Sequence, residues 1–295
     1  MMPLSCLKAV KRTTESNERP PMSPLYVDVA TAGDRSGSMS STGGGSQEGA
    51  VIYMEKQREN SSIIKPNFGY FVDFTSFDDE TYNLFSGEAS DITPEVLDNV
   101  NTGMIPCGKT RLYDTVFECL TAQISRINAI YNNLNKTTQK LVDNCPWLLA
   151  CSFAIMTDGI DNVSNVNNVN NCKNLIKIYK EKYHGNALFI GANQNAEKTA
   201  KKFGINQDSS LQMGTDRRSS YNAASSIASA QIRAVSSGGS ISQSVPTFTQ
   251  LERDISSLGP LTFDSDDDSS YDNIIMSPMP PPLRRTHNHV SFTLS

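Results

Sequence analysis

Asp34-Arg35-Ser36-Gly37-Ser38-Met39-Ser40 decides how this 295-residue chain reads. Asp34, Ser36 and Ser38 alternate along it and offer one carboxylate and two hydroxyls within a single tight turn. Oxygen-only donors of this kind suit a small, hard cation such as Mg²⁺, which takes octahedral geometry and keeps some of its waters. Gly37 lets the backbone curl around such an ion where a β-carbon would obstruct it. Ser and Asp are also ordinary turn residues, so by itself the string describes a solvated loop.

Two distant segments raise its value. Tyr26 to Gly33 reads as a strand running into Asp34, which puts the carboxylate at a strand's carboxyl end, where open α/β sheets bind ligands. Trp147 to Thr157 reads as a buried strand that ends at Asp158, so both acids fall on one edge of the sheet. Leu112, Val116, Leu120, Ile124, Ile127 and Leu134 recur at helical intervals. Thr110, in Gly108-Lys109-Thr110-Arg111-Leu112-Tyr113-Asp114, therefore stands just ahead of a long helix.

Asp34, Ser36 and Ser38, then Thr110, then Asp158 in Ile155-Met156-Thr157-Asp158-Gly159 resemble, in type and order, the metal-ion-dependent adhesion site (MIDAS) of von Willebrand factor A (vWA) domains. The resemblance implies that these five residues surround one divalent ion, Mg²⁺ or else Mn²⁺ or Ca²⁺. Ser36, Ser38 and Thr110 would touch it directly, and Asp34 and Asp158 directly or through water. It implies a protein partner whose Glu or Asp completes the octahedron, and binding rather than catalysis, so not an enzyme. Val72 to Asp78 is similar to the edge hairpin of vWA domains. Phe189 to Ala196 with Phe203-Gly204-Ile205 is similar to small stand-alone vWA proteins of bacteria, phages and large DNA viruses. The resemblance covers about Leu25 to Ser236. Its first strand departs from the family, being built of small residues with Asp28 and Gly33 where bulky apolar ones are usual.

The remaining elements follow from pattern. Ser41 to Ser46 leads into a helix through Ala50, Val51, Met54 and Gln57. Phe68 to Phe77, a turn at Asp78-Asp79-Glu80, and Leu84-Phe85 form a β-hairpin whose aromatics belong to the core. Asp161 lies near the acid cluster without direct contact to an ion. Asn162 to Asn171 is an Asn-rich surface loop entering a helix marked by Leu175, Ile178 and Tyr179 and ended by His184. Ala187 to Ala192 is a strand, Ala196 to Phe203 a short helix closed by Gly204, and Ala224 to Val235 the last helix. Strands alternating with helices in this way imply an α/β fold. It is a doubly wound, mostly parallel, Rossmann-like sheet with helices on both faces, an antiparallel edge hairpin and disordered tails.

The domain expected over 24–236 is preceded by a flexible segment, 1–23, rich in Ser, Pro and charge, and followed by a disordered tail, 237–295. That tail carries the acidic block Asp264 to Asp268 and the Pro-rich Pro278 to Pro282. A net charge of −5 leaves no electrostatic footprint for nucleic acid and none for an anionic membrane. The six cysteines have no metal-type spacing and read as reduced thiols. Met1 to Thr14 is no secretory signal, and no apolar run is long enough to span a bilayer, so a cytoplasmic protein is expected.

A rival function sits inside the same residues. Gly103-Met104-Ile105-Pro106-Cys107-Gly108-Lys109-Thr110 fits the phosphate-cradling pattern G-x-x-x-x-G-K-[ST] of a P-loop ATPase. That motif needs a buried strand immediately upstream, whereas Thr93 to Val100 is polar, with a Pro and helical spacing. An ATPase also leaves Asp34, Ser36 and Ser38 without a role. A third reading is a scaffold whose metal site is vestigial; the presence of all five ligand types stands against it.

Overall fold

The strand that carries Asp34, β1 (Tyr26–Asp34), is buried along its whole length. The computed structural model describes residues 23–159, 161–192, 195–236 and 248–257. In it β1 lies between β2 (Tyr70–Phe77) and β4 (Leu149–Thr157), parallel to both. β3 (Thr81–Glu88) folds back antiparallel on β2 to make the edge hairpin, with a bulge at Phe74/Thr75. β5 (Asn186–Ala192) and β6 (Ser210–Met213) continue the sheet in parallel on the other side. Among the described residues the order is β3-β2-β1-β4-β5-β6. The chain turns one way from β1 to β2 and the other way from β1 to β4. The crevice above the carboxyl ends of β1 and β4 is therefore the topological switch point, where such sheets take ligands.

Both faces are covered. Val27 and Val29 of β1 pack with α1 (Gly45–Ile64), α2 (Pro94–Gly103) and α7 (Arg217–Ser236) through Tyr53, Met54, Val100 and Ile227. Tyr26, Ala30 and Ala32 face the other way, toward α3 (Leu112–Asn133), α5 (Val169–Lys182) and α6 (Ala196–Lys202). α4 (Lys136–Asn144) adds Val142 to that second core, where Trp147, the chain's single tryptophan, is half-buried just ahead of β4. A two-period alternation buried on both sides is what a parallel sheet under two helical layers requires.

The small residues of β1 have a reason. A β-carbon on Gly33 would come within 3.2 Å of the Phe74 ring and 3.4 Å of Met104. Asp28 is fully buried, yet it is answered on every side. Arg126 of α3 donates Nε to its Oδ2 (3.0 Å) and Nη2 to its Oδ1 (3.1 Å), and reaches Asp73 Oδ2 of β2 through Nη1 (2.6 Å). Gln123 donates to Asp28 Oδ1 at 2.9 Å and to the Asp28 and Ser152 carbonyls. Burial raises the Asp28 carboxyl, and the Arg126 guanidinium works against that rise. A charge inside a central strand is thus tolerated because a helix one layer away supplies its partner.

α1 and α7 approach unusually closely. A β-carbon on Gly45 would fall 2.7 Å from Ser220 Oγ and 2.9 Å from the Arg217 α-carbon, and one on Gly49 would fall 3.1 Å from the Ser220 carbonyl. Tyr53 and Gln57 of α1 both donate to Gln231 Oε1 of α7, at 3.0 and 2.7 Å.

The sequence reading ends the domain at 236, but the structure adds residues beyond it. Phe248 is buried in the α1/α7 core, and α8 (Gln250–Ser257) packs against α7 and β6. Gly214 N–H donates to the Ser256 carbonyl (2.8 Å), and Arg253 Nη1 to the Ser210 carbonyl (2.9 Å). The rest of the expected tail, and residues 1–22, lie outside the described residues. Cys107, Cys119, Cys145, Cys151 and Cys172 are free thiols; Cys6 lies outside. Among the described residues no helix is long and apolar enough to cross a membrane.

Candidate metal centre

β1 and β4 run side by side in register, with Gly33 opposite Met156, so their carboxyl ends deliver Asp34 and Asp158 to the same place. Both side chains are buried. The turn after β1 closes on its own acid: Asp34 Oδ1 accepts the Ser36 N–H at 2.7 Å. A 3₁₀ turn over Gly37–Thr42 then carries Ser38 round to the exposed mouth of the site. Ser36 Oγ lies 3.1 Å from Ser38 Oγ, and Ser38 Oγ donates to Asp158 Oδ1 at 2.8 Å. Thr110 is buried, arriving just ahead of α3. Its Oγ1 stands 3.2 Å from the point a β-carbon on Gly159 would occupy, and Asp34 Oδ2 stands 3.8 Å from that same point. All five residues singled out in the sequence are therefore brought together. Gly159 leaves open a space that any side chain would invade.

The donor set is two carboxylates and three hydroxyls. None of the five is a His or Cys, so the donors are all oxygens, the kind that suits a hard cation; among the described residues no group of three or more His, Cys, Asp or Glu gathers. Burial pushes the Asp34 carboxyl up to about 6, against hydrogen bonds from Thr157 and Ser36, and the neighbouring Asp158 charge raises it further. Two acids forced together in a dry crevice fit a divalent cation, which relieves both their desolvation and their repulsion.

The loops that hold these groups are stitched to one another. Gly37 N–H donates to the Gly108 carbonyl (3.1 Å) and Cys107 N–H to the Arg35 carbonyl (2.8 Å). Arg35 sends Nε to Asp78 Oδ2 (2.8 Å), Nη1 to the Gly103 carbonyl (2.9 Å) and Nη2 to Cys107 Sγ (2.8 Å), with its guanidinium over the Tyr82 ring. Burial alone would raise the Asp78 carboxyl, but the Cys107 thiol, the Glu80 amide and Arg35 hold it below the usual carboxylate range.

Some working residues escape a reading by motif. Thr157 Oγ1 donates to Asp34 Oδ2 at 2.6 Å, fixing the acid's second oxygen. Asp161 serves the start of α3: its Oδ1 accepts the Tyr113 N–H (3.1 Å) and the Ser164 hydroxyl. The Asn-rich run proves to be a loop only as far as Asn168, whose side chain accepts the N–H groups of Asn170 and Asn171 and caps α5. Nothing in its composition separates these asparagines from their neighbours.

The phosphate-cradling pattern has the wrong surroundings. Gly103 closes α2, so a helix stands where the motif needs a strand. Gly108 takes a positive φ of 67° directly against Asp78 and Asp79, whose carboxylates would repel a phosphate.

No protein-family model matches the sequence, and no curated protein matches it. Solved structures do match. A von Willebrand factor type A protein from Catenulispora acidiphila is 12% identical at a TM-score of 0.45, over 71% of this chain and 43% of its own. Proximal thread matrix protein 1 from the mussel byssus, in a structure with a zinc-occupied MIDAS motif, is 12% identical at 0.46, over 72% and 46%. A minor pilin from Streptococcus sanguinis is 11% identical at 0.46, over 73% and 64%. The chain spans less than two thirds of each of these proteins. These, a von Willebrand factor type A protein among them, are what the chain is similar to, each at a TM-score below 0.5.

Proposed function

We propose that this protein is a divalent-cation-dependent protein-binding module, with Mg²⁺ as the resident ion, that captures an acidic side chain of a partner. The observation that carries the reading is the meeting of Asp34, Ser36, Ser38, Thr110 and Asp158 at one strand edge, around the space that Gly159 leaves open. Ser36, Ser38 and Thr110 hold the ion directly, and Asp34 and Asp158 directly or through water. Because three of the five donors are neutral hydroxyls, a bound cation would keep much of its charge for an open coordination position, where a partner's Glu or Asp makes a strong, charge-assisted contact.

The rim suits such a partner. Lys109 is exposed next to Thr110 and adds positive charge, while Ile105 and Val166 stand exposed on the two loops that flank the site. No His or Glu lies in the motif segments to serve as a general base, which favours binding over hydrolysis.

The test is capture of Glu- and Asp-containing peptides from an array by the intact chain, in Mg²⁺ and in EDTA. Binding should disappear in EDTA and in Asp34→Ala, and survive Lys109→Ala, which would instead abolish nucleotide binding in an ATPase. Peptide capture undiminished by EDTA, with the fold intact, sinks the reading.

A further inference from the structure

Building on the cation-site reading above, we infer that Asn162 is a positioning residue that fixes Thr110 and thereby sets the site's affinity for its ion. Thr110 N–H donates to Asn162 Oδ1 at 2.9 Å, and Asn162 N–H donates to the Thr110 carbonyl at 3.0 Å. One residue thus takes both backbone polar groups of a proposed ligand residue. Thr110 is 3% exposed, so water does not stand in for a lost partner, and a stranded amide would rotate the peptide to find another. Its hydroxyl would turn with it.

The loop that carries Asn162 is itself locked to the start of α3. Arg111, which precedes the helix, makes no side-chain cap. The first amides are met from across the site instead, Tyr113 N–H by Asp161 and Asp114 N–H by Ser164 Oγ (3.0 Å). Asp114 answers in the other direction, accepting N–H groups from Asn165 (2.9 Å), Val166 (3.3 Å) and Asn167 (2.6 Å), and pairing with Arg111 Nε at 3.3 Å. Residues 161–167 and 110–114 therefore behave as one interlocked piece, and Asn162 is where that piece grips Thr110. Partners one step removed from a metal typically change its affinity by about 10–100-fold when removed.

Mn²⁺ titration calorimetry on the full chain tests this. Asn162→Ala should bind Mn²⁺ about 10–100-fold more weakly than wild type, with faster hydrogen exchange at the Thr110 amide. Asn162→Asp keeps the acceptor oxygen and should bind no more weakly than wild type. Should Asn162→Ala fail to fold, Asn162→Gln keeps the polarity while moving the amide out by one methylene, and should show the same weakening. Wild-type affinity in Asn162→Ala or Asn162→Gln, or an Asn162→Asp as weak as Asn162→Ala, overturns the role of Asn162 while Asp34→Ala still marks a genuine cation site. No Mn²⁺ uptake by folded wild type overturns the cation site and this inference together.

Discussion

Asp34 carries the site's electrostatic tension, and that tension has a measurable pH signature. Its carboxyl moves from an ordinary 3.8 up to about 6 in the folded chain, so between those values the native state holds a proton that the unfolded state has released. Stability of the metal-free protein should therefore rise as pH falls from 7 through 6 toward 4, by about 3 kcal/mol from this group. Asp34→Asn should flatten that rise in urea melts taken across the window. Saturating Mg²⁺ should abolish it too, because the cation favours the ionised acid. At this scale side-chain type and order single out Ser36, Ser38, Thr110 and Asp158, and the fold gathers them at one edge of the sheet. The sequence is silent on Thr157 and Asn162, since a Thr beside an Asp, or one Asn among many, says nothing about which distant atom it will face.

Among the elements, β1 is the one whose sequence runs against its position. A central strand holding Asp28 stands only because α3 brings Arg126 and Gln123 to it, 98 and 95 residues further along the chain and yet in direct contact once folded. Arg126→Met should cost about 3–5 kcal/mol in urea unfolding, since it strands a buried carboxylate, and Asp28→Leu combined with Arg126→Met should recover most of that loss. Recovery would fail if the pair were needed for more than charge balance. The periodic elements were readable: α1, α3 and α7 from helical spacing, β4 and β5 from apolar runs. β6, Ser210–Met213, was not, because four residues with Gln212 among them give no alternation to detect. α8 has a local sequence signal. Thr249 and Glu252 form a reciprocal capping box, Thr249 N–H to Glu252 Oε2 at 2.7 Å and Glu252 N–H to Thr249 Oγ1 at 3.2 Å, in the Thr-x-x-Glu spacing that marks a helix start.

For the molecule as a whole, that helix moves the boundary of the folding unit. A chain ending at Ser236 loses Phe248 and α8 and should be less stable than one ending at Gly259 by about 3 kcal/mol or more, the usual effect of removing one large buried aromatic. Thermal melts of the two would decide it, equal midpoints placing the boundary back at 236. The doubly wound architecture itself follows from alternation of strands and helices, while its outer limit depends on the packing of Phe248 and α8, of which the local pattern announces only the helix start. One practical consequence follows from where Trp147 lies. It precedes β4, and Asp158 follows it, so the nine residues of the strand hold the indole roughly 30 Å from the acids. Intrinsic indole emission from this protein will report melting of the core while staying blind to whatever docks at the opposite rim, and an optical assay of occupancy will need a fluorophore attached near that rim.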